Sequence, residues 1–228
     1  MSGIVGLVSR DNELVDPVIL RNATRLLRDK SPDRINTWVN GRVGLGHAWL
    51  NTSPGSSGPA EPLTLDGKTW VVSDSCLCGK EDLIRQLRLA GMQPAMDASD
   101  AELILWAYRA FGEKFARYLV GDFAVAIWDA SKKMLVGARD HLGVRPFFYA
   151  EDERVLIFGS DIDALRVHPD CSDELNDDFI ADFLLFGAPA ECDATAYRQI
   201  KRLPAAHYMT LGPEGLALQR YWSLAGGE

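Results

Sequence analysis

The chain is short of basic charge and of residues that bind metals. It sets 24 Lys and Arg against 32 Asp and Glu, a formal net charge of −8. That balance argues against a nucleic-acid partner, whose phosphates call for clustered Lys and Arg. No apolar run reaches the length of a membrane span, and the N-terminus has no signal-peptide hydrophobic region. No membrane partner and a cytoplasmic location are therefore expected. Cysteine occurs four times, at Cys76, Cys78, Cys171 and Cys192. Cys-x-Cys is neither a zinc nor a thioredoxin spacing, so the thiols are expected to be free, buried and in a reducing compartment. The four histidines (His47, His141, His168 and His207) are scattered and have no Cys or Asp arrangement that would make a catalytic base. Internal repeats and low-complexity tracts are also missing.

What the chain does have is organised around Leu119–Ala150. Phe123, Val125 and Ile127 alternate with Ala124, Ala126 and Trp128, a pattern that suits a strand covered on both faces. A polar turn at Asp129–Lys133 leads into a second strand from Met134 to Arg139, so the pair reads as a hairpin at the centre of a core sheet. Phe147 to Ala150 resumes an extended run. Further strands are expected at Gly3–Ser9, Gly44–Leu50, Trp70–Ser73, Val155–Gly159, Ala206–Leu211 and Leu216–Tyr221. Helices are expected from Asp16 to about Asp29, at Lys80–Ala90, from the Ser99–Glu102 capping box to Ala110, at Glu113–Leu119, around Ile162–Arg166, and from Asn176 to Gly187. Ser31–Arg34 reads as a turn and Asn51–Pro62 as an exposed loop. Strands, then helices, then strands favour an α+β fold with antiparallel sheets, here a single domain over residues 1–228.

Ordered motifs then carry a family resemblance. Met1-Ser-Gly-Ile-Val-Gly6, Gly44-Leu-Gly-His47, Ser99-Asp-Ala-Glu102, Leu119-Val-Gly-Asp-Phe-Ala124, Ala138-Arg-Asp140, Leu142-Gly143, Arg145-Pro146, Gly159-Ser-Asp161 and Tyr221-Trp222 follow one another along the chain. Together they resemble the N-terminal glutaminase domain of the asparagine synthetase family, a class II glutamine amidotransferase, over essentially the whole chain. The resemblance implies the N-terminal nucleophile hydrolase fold: a four-layer αββα sandwich with two mainly antiparallel sheets between helices.

It also assigns roles, and several residues depart from them. The family's nucleophile is a Cys exposed by removal of the initiator Met, with the free α-amine as its base; here the position is Ser2. The family's carboxylate-clamping Arg is replaced by Trp49, which forms no bidentate ion pair and is expected to fill the vacated space as a buried ring. The oxyanion and substrate contacts of an Asn-Gly-Glu run map onto Asp74, Ser75 and Cys76. A carboxylate at Asp74 repels a developing oxyanion. Asp100 keeps the position that contacts the glutamine amine, although a helix first-turn acid is an equally good reading of it. Arg139–Asp140 and Arg145–Pro146 read as architecture, and Trp106, Tyr108 and Phe111 as core.

The pattern resembles the degenerate amidotransferase domains of β-lactam synthetases and lasso-peptide cyclases, where a partner domain adenylates a carboxylate that an internal amine attacks. It implies a glutaminase-dead scaffold for an ATP-dependent synthetase domain or chain. No cofactor is expected in this domain, ATP and Mg²⁺ belonging to the partner, whose pyrophosphate loop of the Ser-Gly-Gly-x-Asp type does not occur here. A homodimer is left open. The competing reading is an active amidase that uses Ser2 after loss of Met1.

Overall fold

A computed structural model describes residues 2–11, 13–27, 33–50 and 60–224. The chain divides into two compact units, Met1–Thr52 with Pro146–Pro204, and Ser53–Arg145 with Ala205–Glu228. Each is built on one six-stranded antiparallel sheet with helices, so the fold is α+β. No helix among the described residues is long and apolar enough to cross a membrane.

In the first unit the sheet order is β10 (Lys201–Arg202), β8 (Phe148–Glu151), β9 (Val155–Gly159), β1 (Gly3–Ser9), β3 (Val43–Trp49), β2 (Arg34–Asn40). β1 is wholly buried between β9 and β3, which accounts for its unbroken apolar sequence. Gly6 is required there, because a Cβ would lie 2.1 Å from the Phe158 ring. Helix α1 (Pro17–Leu26) starts as expected, with the Asp16 carboxylate accepting from the Val18 N–H at 2.7 Å and Pro17 in the first turn. Its buried stripe is Leu20, Ala23, Thr24 and Leu27. Val18 and Leu26 are exposed, because the i, i+3, i+4, i+7 spacing starting at Leu20 excludes them. The expected helix end near Asp29, and Ser31 and Pro32 of the expected turn, lie outside the described residues. Arg34 does not end a turn but opens β2, an edge strand with no buried residue and hence no apolar run to mark it. α4 (Ile162–Leu165) and α5 (Asp177–Phe186) complete the unit.

In the second unit the order is β12 (Gly215–Arg220), β11 (His207–Gly212), β7 (Met134–Arg139), β6 (Val120–Asp129), β5 (Thr69–Cys78), β4 (Leu63–Thr64). The expected hairpin is β6–β7, and it does occupy the middle of its sheet. Phe123, Val125, Ile127, Val136 and Ala138 pack in one cluster with Leu83, Ile84 and Leu87 of α2 (Lys80–Leu89) and Leu103, Ile104 and Tyr108 of α3 (Asp100–Phe111). Trp106 and Phe111 border that cluster, in keeping with a core role. Both hydrogen bonds of the Ser99–Glu102 capping box are present.

The run Phe147–Ala150 is extended as expected, and as β8 it pairs in the first unit. Three expectations change. Gly112–Tyr118 forms a 3-10 helix instead of an α-helix over Glu113–Leu119. β5 runs on past Ser73 to Cys78, so the Asp74–Cys76 run lies inside a strand and not after one. Of the thiols, all free, only Cys171 is buried, and burial pushes it up to about 11; Cys76, Cys78 and Cys192 sit on the surface.

Gly121 opens β6 at a φ of +126°, where a Cβ would meet the Cys76 carbonyl oxygen at 2.3 Å. Gly121→Ala is expected to cost roughly 2–4 kcal/mol. Gly67 has φ +70° but nothing within 4 Å, so Gly67→Ala is expected to cost only about 1 kcal/mol. Urea titration of both variants measures the difference, and equal losses would contradict the close-approach argument.

Candidate active site

In the first unit, Ser2 precedes β1 and is half-buried. The Leu50 N–H donates to its Oγ at 3.3 Å. The same end of β1 is pinned by Ser160, whose Oγ accepts from the Ile4 N–H at 2.9 Å and whose own N–H donates to the Ile4 carbonyl at 2.9 Å. Ser2 is thus held between the ends of β3 and β9. Met1, and with it the chain-terminal amine, lies outside the described residues.

Trp49 is the last residue of β3 and pairs in register with Arg34 on β2. It is half-buried, and the expectation of a buried, space-filling ring is corrected. At the end of a strand beside an edge strand, the indole lies under the Arg34 guanidinium, 5.7 Å from carbon to ring centroid. The Trp49 side chain itself has no two-pronged fork for a carboxylate; the exposed Arg34 above it carries a guanidinium.

In the second unit the residues are tied into ion pairs. Asp74 lies in register with Ala124 of β6 and is buried. Its Oδ2 takes a 3.4 Å ion pair from Nη1 of Arg145, itself mostly buried. Arg145 was legible in the sequence only as architecture; the structure makes it the partner of Asp74. It is aimed by the loop after β7. There the Asp140 carboxylate accepts the N–H groups of Leu142 (3.1 Å), Val144 (2.9 Å) and Arg145 (2.9 Å). The Arg139 guanidinium binds the carbonyls of Gly143 (2.6 Å) and Arg145 (2.7 Å).

Asp100 is the first residue of α3. One carboxylate oxygen accepts the Leu77 N–H at 2.8 Å, and the other is ion-paired with the Lys80 ammonium. Lys80 opens α2, and nothing in its sequence context singled it out. Ser75 is half-buried, with its Oγ 3.3 Å from that of Ser73.

Ser73 leads to a residue that the sequence placed in an exposed loop. Residues 51–59 of that loop lie outside the described residues, but Glu61 is buried. It accepts both the Ser73 N–H (2.5 Å) and the Ser73 hydroxyl (3.1 Å). Burial pushes the Glu61 carboxyl up to about 8, and the charges of Asp100 and Asp74 push the same way against the pull of the Ser73 hydrogen bonds. A lone Glu between Ala60 and Pro62 carries no periodic signal that could have revealed it. Among the described residues no three His, Cys, Asp or Glu are grouped to hold a metal.

With these positions in place, comparison with known proteins shows first a shared fold and then a family. Two solved structures share the fold. One is the glutamine phosphoribosylpyrophosphate amidotransferase of B. subtilis complexed with ADP and GMP (TM-score 0.65, 14% identity, 96% of this chain and 49% of that one). The other is described as the allosteric regulatory enzyme of purine biosynthesis (TM-score 0.67, 15% identity, the same coverage). Both likenesses are of fold. A family model described as a glutamine amidotransferase domain matches residues 1–222, spanning both units. Relatives include asparagine synthetase [glutamine-hydrolyzing] 3 of Bacillus subtilis, 32% identical over 98% of this chain and 37% of the relative. Asparagine synthetase [glutamine-hydrolyzing] 2 of the same organism is 27% identical over 98% of this chain and 30% of the relative. The chain belongs to the class II glutamine amidotransferase domains of the asparagine synthetase family, and it spans about a third of the length of these relatives.

Glu61 gives a pH test. Its folded-state value lies above the ordinary 4.5, so between about 4.5 and about 8 the folded chain keeps a proton that the unfolded chain has lost. Its contribution is complete below 4.5 and is lost as pH rises through about 8. Glu61→Gln keeps an acceptor for Ser73 and cannot ionise. It is expected to match wild type near pH 4.5 and to exceed it near pH 8 by on the order of 3 kcal/mol. Denaturant midpoints at the two pH values check this; a difference that does not change with pH would refute it.

Proposed function

We propose that this chain is the amidotransferase domain of an ATP-dependent amide-forming enzyme of the asparagine synthetase family that no longer hydrolyses glutamine. In this reading it serves as scaffold for a synthetase domain or chain, of the lasso-peptide cyclase or β-lactam synthetase type, in the cytoplasm. ATP and Mg²⁺ belong to that partner. The observation that carries the reading is the Asp74–Arg145 ion pair. Acyl transfer from glutamine builds negative charge on the amide oxygen, and catalysis depends on donors aimed at it. Asp74 presents acceptors at that position, and the nearby cation is already engaged with it.

Two further contacts support the same reading. The Lys80 ammonium sits on Asp100 where the resemblance puts the α-amine of the substrate. Trp49, under Arg34, has no fork for the substrate carboxylate. In the second unit, the groups that the resemblance assigns to the amine and the developing oxyanion of glutamine are thus each occupied or mismatched. Amide-bond formation between an activated carboxylate and an amine of the same substrate needs neither.

A second reading, glutamine hydrolysis by Ser2, is favoured by the relatives named as glutamine-hydrolyzing and by the placement of Ser2 beside a backbone N–H. The two separate in a coupled assay for released glutamate. The purified chain is expected to give a rate indistinguishable from buffer, and Ser2→Cys is expected not to restore turnover, because Asp74, Trp49 and the Lys80–Asp100 pair remain. Steady turnover that disappears in Ser2→Ala would overturn the proposal.

A further inference from the structure

Helix α5 carries an exposed apolar run, Phe183 to Phe186, while Phe179 and Ile180 are half-buried. Phe179, Ile180 and the run from Phe183 to Phe186 dominate its ten positions, yet no residue of the helix is buried. Exposure reaches 55% at Phe183, 78% at Leu184, 74% at Leu185 and 77% at Phe186. The helix is nevertheless well specified. The Asn176 side chain accepts from the Phe179 N–H at 3.2 Å, and the Gly187 N–H closes the far end on the Phe183 carbonyl at 2.9 Å. A contiguous exposed apolar patch on a defined helix marks a binding face.

Charge narrows what covers it. Beside α5 lies a cleft of about 480 Å³ whose lining includes Asp178, Phe179, Asp182, Pro189, Glu191 and Arg198. That arginine is ion-paired with Glu174 at 3.1 Å, so the rim stays acidic. A second copy of the chain would bring Asp177, Asp178 and Asp182 against the same carboxylates, and an anionic lipid surface is repelled for the same reason. A basic partner is attracted. The relatives extend well beyond the part that this chain matches, so a synthetase portion has ample surface to offer.

We propose that α5 and its acidic cleft dock a basic amphipathic helix of a protein partner. The apolar face of that helix lies on Phe183 and Leu184, and its Lys or Arg residues face Asp178 and Glu191, the helix-in-groove mode of recognition. The inference rests on the reading that this domain serves a synthetase partner, which supplies the helix.

The test is titration of the full chain into a fluorescent amphipathic peptide of leucine and lysine at helical spacing, with a leucine and glutamate peptide as control. Saturable binding of the lysine peptide is expected. It should weaken on the order of tenfold or more in Phe183→Ser/Leu184→Ser, weaken likewise in Asp178→Lys/Glu191→Lys, and fall with added salt. All four substitutions are of surface residues, and circular dichroism checks that the variants stay folded. No binding, binding indifferent to both pairs of substitutions, or preference for the glutamate peptide would overturn the proposal. So would a concentration-dependent dimer, or retention on phosphatidylserine vesicles, abolished by Phe183→Ser/Leu184→Ser. Glutamine turnover is not read in this experiment, so its failure leaves the glutaminase assay to stand or fall separately.

Discussion

At the end of β7 the Asp140 carboxylate turns inward and gathers the backbone N–H groups of Phe123, Leu142, Val144 and Arg145. The Asp140 main chain adds bonds to the Phe123 carbonyl and from the Ala206 and Gly143 N–H groups. Arg139, whose carbonyl is held by the Tyr221 hydroxyl at 2.8 Å, grips the same loop from the other side. Buried donors left without an acceptor are costly, so Asp140 is hard to replace. The loop that it organises places Arg145, and Arg145 neutralises Asp74. Without that cation Asp74 would be a buried charge with its main electrostatic compensation gone.

This chain of dependence runs from a hairpin to an ion pair, and it separates two things that the family resemblance joins. The framework motifs keep their work: Gly6 admits Phe158, Ser99 and Glu102 cap α3, and Arg139–Asp140 shape the turn. In the proposed reading, the positions that the resemblance assigns to glutamine are engaged within the chain. Asp74 has Arg145, Asp100 has Lys80 and Trp49 has Arg34. A fold persists through its packing and backbone hydrogen bonds, whereas function depends on a few polar groups, which can change without disturbing it.

Much of the framework was legible in the sequence because burial leaves a period. β1, β6, β7 and β9 are nearly wholly buried and read as unbroken apolar runs, and the caps of α1, α3 and α5 use side chains with known geometry. β2 escaped because an edge strand has no buried face to enforce alternation. The course of Phe148–Glu151 escaped because sheet membership depends on where Gly143 and Pro146 send the chain, not on local propensity. In the candidate site, Ser2, Trp49, Asp74, Ser75 and Asp100 were legible by position within motifs. Their partners were not. Arg145 lies 71 residues from Asp74, Glu61 lies 12 from Ser73, and Lys80 is an ordinary helix-opening lysine, so no local rule links any of them.

If Asp74, Asp100 and Trp49 have exchanged substrate for partners within the chain, the protein should not bind glutamine at all. Isothermal titration of the intact chain with L-glutamine measures this without relying on turnover. No saturable heat is expected in wild type. A saturable isotherm that is lost in Asp100→Ala would mean that Lys80 yields its carboxylate to the substrate amine, and would contradict the account.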